Sequence, residues 1–444
     1  MFLRCARYRR VLGGHPGTVA QVALPRSLAP FRHRRFAMLW AGAFVSNVGT
    51  WMEAVGVGIL VTTSTGKAGW AGLVAAAGFV PTAVLAPVGG ALADRVSRRT
   101  LLLTTNLVQA GFAGALTLLA ASGNARPGAV TLLVLGAGCA NALGFPAYQA
   151  MLPDLVPRAE LLSAVALSSA QWNLGRVIGP ALAGVVIGLG GYEVAFAINT
   201  VSFFAVFAVV ASFRLPPPAT PDGASITRAI RDGARFMRRD PAMRFVVGCL
   251  SLNSLFAAPF IALIPAVALK VFDDEKLGTA ALVTAQGIGA VTMGLTLGAL
   301  HARFGHRHVL VGFLVGLPLA LVAYALSPTL VAAVVAMFFV GFLYVGALSS
   351  FTTIAQLQAP AALRGRAVSV LMMLIGALYP IGSIVQGAIA DEIGLRATTA
   401  GAAVILGASL VLWRLLRPTA SDALDEIDAE DALVASESSG GKDA

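Results

Sequence analysis

The stretch Gly90-Ala-Leu-Ala-Asp-Arg-Val-Ser-Arg-Arg99 returns as Gly298-Ala-Leu-His-Ala-Arg-Phe-Gly-His-Arg307, 208 positions later. Gly, Ala, Leu and two Arg coincide. Two further pairs keep nearly the same spacing: Asn47 with Asn253, 206 apart, and Gly175 with Gly382, 207 apart. Three matches at almost one offset predict that the chain is a duplication of one long unit.

Composition says what that unit is. Of 444 residues, 57% are apolar and 12% are charged. Soluble domains run to about 45–50% and about 25%. Spans of ~21 residues, twelve in number, would absorb that apolar excess. The same arithmetic excludes a soluble enzyme, a coiled coil, a disulfide scaffold and a disordered chain. Long apolar runs place spans at 36–63, 70–93, 100–121, 128–149, 162–188 and 194–213. The second set falls at 245–268, 278–300, 309–326, 329–353, 367–390 and 397–416. The expected fold is therefore an all-α membrane protein, with twelve transmembrane helices in two pseudo-symmetric six-helix bundles at 31–213 and 243–417. Outside them lie a basic, disordered arm (1–30), a linker (214–242) and an acidic, disordered tail (418–444).

Charge tests the count. With loops numbered alternately, 25 Lys and Arg fall on the side of the termini and 5 on the other. By the positive-inside rule both termini are cytoplasmic, in a plasma or inner membrane. The net charge of +11 thus orients the chain and does not point to nucleic acid. In the linker, Ile226, Ile230, Gly233 and Met237 form one helical stripe, and Arg228, Arg231, Arg235 and Arg238 the opposite one. That pattern predicts a helix lying on the anionic cytoplasmic leaflet.

The repeated loop resembles the signature G-x-L-x-D-R-x-G-R-[KR] between spans 2 and 3 of the major facilitator superfamily. Gly90, Asp94, Arg95, Arg98 and Arg99 match it, Ser97 replaces a Gly, and the second copy has Ala302 in place of the Asp. A second signature, Gly175-Arg-Val-Ile-Gly-Pro-Ala-Leu-Ala-Gly184, resembles that family's antiporter motif through Gly175, Gly179, Pro180 and Gly184. The segments Met151–Arg158 and Ser169–Pro180 are similar to the enterobactin-exporter-like and macrolide-efflux-like branch. The resemblance implies two parallel six-span halves rocking around a central site. It implies that Asp94 latches the cytoplasmic side by capping a neighbouring helix, and that the span 5 glycines seal the other side. It also implies a cavity lined by spans 1, 4, 7 and 10, which favours Asn47, Asn141, Asn253 and Tyr344.

Two ionisable residues lie deep within spans: Glu53 in span 1 and Arg176 in span 5. Counted from the cytoplasmic ends, their depths differ by ~4–5 Å at ~1.5 Å per residue. Buried charges in a bilayer seek partners. The two are therefore expected to meet, as a proton-coupling pair or a static structural one; the alternative is a Glu53 simply wetted near the outer vestibule. There is no phosphate loop for ATP, and no Cys/His cluster of metal-site spacing. No cofactor and no metal site are expected, and no enzymatic activity. The resulting expectation is a monomeric, proton-coupled exporter of small amphipathic molecules such as drugs or siderophores. The alternatives are a nutrient importer of the same fold, or a membrane receptor or scaffold that does not transport.

Overall fold

A computed structural model of the chain describes residues 26–213, 226–274, 277–360 and 363–416. The acidic tail, the arm up to residue 25 and the start of the linker lie outside the described residues. Arg26–Arg32 form a 3-10 helix, so ordered helix begins a few residues before the expected boundary at 30. The long helices follow as α1 (Arg34–Thr65), α2 (Ala68–Arg95), α3 (Arg98–Ala121), α4 (Pro127–Leu155) and α5 (Leu161–Ala211). The linker helix is α6 (Ile226–Arg239). Then come α7 (Pro241–Leu252), α8 (Phe260–Phe272), α9 (Leu277–Ala325), α10 (Leu330–Gln358), α11 (Arg364–Ile393) and α12 (Leu395–Leu416).

Among the described residues, ten helical segments are long and apolar enough to cross a membrane. Two of them do so twice. α5 has 51 residues and breaks helical geometry at Gly191, where φ is 82°. Its neighbours on α1 show the reversal. Before the break, Gly175 lies against Asn47 and Gly179 against Trp51; after it, Phe196 lies against Gly56 and Asn199 against Gly49. Contacts climb α1 and then descend it, so α5 is a helical hairpin. α9 turns in the same way at Gly305, with φ 76°. Glycine fits both sites because a side chain disfavours that left-handed region. Twelve spans result, in agreement with the hydropathy.

Span 7 is α7 and α8 joined by a π turn at Asn253–Ala257, just before Pro259. Proline has no N–H for the carbonyl of Leu255, which in lipid would be left unsatisfied. Gln386 of α11 supplies the bond: its Nε2 donates to Leu255 O at 2.8 Å and to Phe256 O at 3.1 Å. Gly382 lets α11 come close, since a Cβ there would lie 2.5 Å from that same Leu255 oxygen. Gly175 does the equivalent on α1, so the duplicated glycines occupy equivalent seams in the two halves.

The halves meet along α2 with α11 and along the first arm of α5 with the first arm of α9. The linker helix departs from expectation. Gly233 rests on the Arg366 backbone, Met237 is buried in the core of the second half, and Arg366 bonds Asp232 at 3.1 Å. Both of these apolar-stripe positions therefore pack on protein instead of lipid.

Candidate functional site

Glu53 and Arg176 do not meet. Residues 51 and 53 are ~200° apart around a helix, and the two sides of α1 face different surroundings. Asn199, fully buried on the second arm of α5, donates its Nδ2 to Glu53 Oε2 at 2.8 Å. Glu53 thus points into the first half. Arg176 lies on the other side, its guanidinium carbon 5.7 Å from the centre of the Trp51 ring. It is also within Coulomb range of Tyr344 on α10 and Tyr379 on α11. The pair expected from matching depth is thereby replaced by two separate environments.

Around Arg176 the two halves supply aromatic rings. Trp51 stands edge-on to Trp172 at 5.7 Å, and Tyr344 edge-on to Phe260 at 5.6 Å. Tyr379 meets Phe79 of the opposite half at 5.0 Å. The backbone of Arg176 itself lies at the seam, 3.3 Å from where a Cβ on Gly287 would sit. Of the expected cavity residues, Tyr344 joins this cluster and Asn47 borders it by packing on Gly175. Asn253 is buried in the π turn with both amide atoms unpartnered. Asn141 is exposed, with no bond to the cluster among the described residues.

The span 5 glycines pack inside one half. A Cβ at Gly179 would lie 2.6 Å from Trp51 Cβ and 2.7 Å from Val48 O, both on α1. Gly175 and Gly179 therefore fix α5 against α1 and do not seal the two halves together, as had been expected of them. Pro180 is buried beside them. Gly184 lies further along, lining a surface groove with Asp273 and Asp274.

A seal exists at a place the sequence did not single out. At the end of α11, Asp391 accepts the backbone N–H of Ala68 at 2.7 Å and of Gly69 at 2.9 Å. These are orphan donors at the start of α2, where the helix dipole favours an anion. Lys270 adds an ion pair at 3.5 Å. Small residues close the seam nearby: Gly72 abuts the Ser383 carbonyl, and a Cβ at Gly387 would lie 3.0 Å from Ala68 O.

The Arg-rich end differs. Arg98 pairs with Asp154 at 2.6 Å, and Arg99 donates to Val210 O at 3.3 Å and Ala211 O at 2.7 Å, capping the end of α5. Ser97, where the signature has Gly, caps α3 by accepting Thr100 N–H at 3.4 Å. Those bonds stay within the first half. Gly90 faces open space, Arg95 is exposed, and the Asp94 side chain lies outside the described residues.

A family model described as transmembrane secretion effector matches residues 25–437. The chain belongs to that family, within the major facilitator superfamily. It is 29% identical over 383 residues to the multidrug efflux pump Tap of Mycolicibacterium fortuitum, covering 82% of this chain and 90% of that one. It is 24% identical to the staphyloferrin A transporter of Staphylococcus aureus, over 81% of this chain and 90% of the relative. Macrolide efflux protein A of Streptococcus pyogenes is 22% identical, with 82% and 91% covered. Among solved structures, a POT family transporter in complex with a thioalcohol-conjugated peptide aligns with TM-score 0.70 at 10% identity, over 87% and 96% of the two chains. A bacterial homologue of the lysosomal transporter Spinster aligns with TM-score 0.67 at 16% identity, over 90% and 98%. The protein is a multi-span membrane transporter of the major facilitator fold.

Proposed function

We propose that this transporter is a proton-coupled exporter of small amphipathic molecules, drugs or siderophores, in the plasma or inner membrane. One observation carries the alternating-access part. Among the described residues, every glycine packed across the seam lies in its middle or at the Asp391 end, whereas the bonds of Arg98, Arg99 and Arg366 at the Arg-rich end do not cross between the bundles. Closure at one end and openness at the other is what a rocking pair of bundles presents in one of its two states. The charge bias assigns the open end to the cytoplasm, where an exporter loads. Relatives whose names describe efflux support the outward direction.

Glu53 is the proposed proton carrier, since it is the one carboxyl deep in a described span and is held by a neutral amide, not a cation. Asp94 is the proposed latch of the cytoplasmic end, the counterpart of Asp391. The test is dissipation of a pH gradient in inside-out vesicles across a panel of drugs and siderophores. Gradient loss with at least one compound, absent in vesicles lacking the protein, is expected. Gradient-driven accumulation in the opposite sense would establish the importer reading instead.

A further inference from the structure

Arg176 is the deepest cation in the described bundle, and its acid is missing. Glu53 is taken by Asn199. Among the described residues Arg176 has no carboxylate and no hydrogen-bond acceptor, only the Trp51 face and the nearby Tyr344 and Tyr379. A guanidinium in a low-dielectric site is costly when unpaired, and its five donors match a planar oxyanion in two-point fashion. Next to it, Trp51 Nε1 is buried with no acceptor either. The cation thus lies over a ring whose own N–H is unpartnered, with Trp172 edge-on against that ring and Phe260 edge-on against Tyr344.

We propose that this cluster is a subsite for the anionic group of the transported molecule, a carboxylate or sulfonate borne on an aromatic or apolar body. The assignment rests on the transport reading above and narrows its substrate class. Arg176 binds the oxyanion while the rings of both halves take the body. Because Trp51 and Arg176 belong to one half and Tyr344 and Tyr379 to the other, a bound anion also spans the seam that has to rock. Its occupancy is then felt by both bundles.

The test compares two dyes of nearly one shape: 1-anilinonaphthalene-8-sulfonate, an anion, and N-phenyl-1-naphthylamine, which is neutral. Binding to the full chain in nanodiscs is read by quenching of tryptophan emission, with empty nanodiscs subtracted. No gradient is present, so the result does not depend on export or proton coupling, and a failed vesicle screen leaves it standing. Wild type should prefer the sulfonate by about tenfold or more, the scale of a charge-assisted hydrogen bond. Arg176→Gln should lose that preference while holding the neutral dye as before, which also shows that it is folded. Arg176→Lys should keep a reduced preference. Equal affinity of wild type and Arg176→Gln for the sulfonate overturns the proposal. So does displacement of the dye by chloride at matched concentration, which would make the site a simple counter-ion hole.

Discussion

Asp391 at the end of α11 caps the first turn of α2 in the opposite half, through Ala68 N–H at 2.7 Å. One carboxylate so placed ties two bundles by a bond that a small tilt breaks. Asp391→Asn removes the charge and keeps the shape, which should weaken this end by about 1–2 kcal/mol. We expect labelling of Ser383→Cys, otherwise buried against Gly72, by an impermeant thiol reagent to speed up several-fold. An unchanged rate would show that the cap does not hold the closed state.

Asp94→Asn should act in the opposite direction if Asp94 latches the other end. Transport should fall with membrane insertion intact, and Ser383→Cys should become less reactive. Transport at the wild-type rate under a small gradient would remove Asp94 from the mechanism.

Gly179 and Gly72 separate packing within a half from packing between halves. A leucine at Gly179 collides with α1 and should cost about 1–3 kcal/mol of stability, read as a lower Tm. Its effect on accessibility across the seam should be small. A leucine at Gly72 meets the Ser383 carbonyl and should prop the closed end open, with little change in Tm. Reversed outcomes would mean that the seams have been assigned the wrong way round.

Glu53→Gln retains an oxygen for Asn199 to donate to but cannot ionise. Accumulation driven by a pH gradient should be lost, while dye binding in the absence of a gradient persists. Proton release on substrate binding by this variant would move the coupling site elsewhere.

Spans, duplication and both signatures were readable because they are one-dimensional: hydropathy and offset need no knowledge of azimuth. Pairing was not readable for that same reason. Matching depth put Glu53 beside Arg176, but depth is only the axial coordinate, and Trp51 and Glu53 look to opposite sides of α1. Asn199 gives no signal in the sequence, being a single amide in an apolar run. It sits where α5 descends past Gly49, a fact that emerges only once Gly191 is known to reverse the helix. Asp391 carries no sequence signal for its role, since its partners are backbone N–H groups, which have no residue signature. Gln386 does carry a signal in the sequence: a lone amide opposite a proline-broken helix.

The hairpins at Gly191 and Gly305 have a practical consequence for anyone mapping this protein. In α5 and α9 the reversal is made at a single non-helical residue, Gly191 or Gly305, so neither turn offers slack chain at the surface. Epitope tags, reporter fusions and proteases all need such slack. Mapping with them would find four of the crossings fused into two, and the chain would read as a ten-span protein.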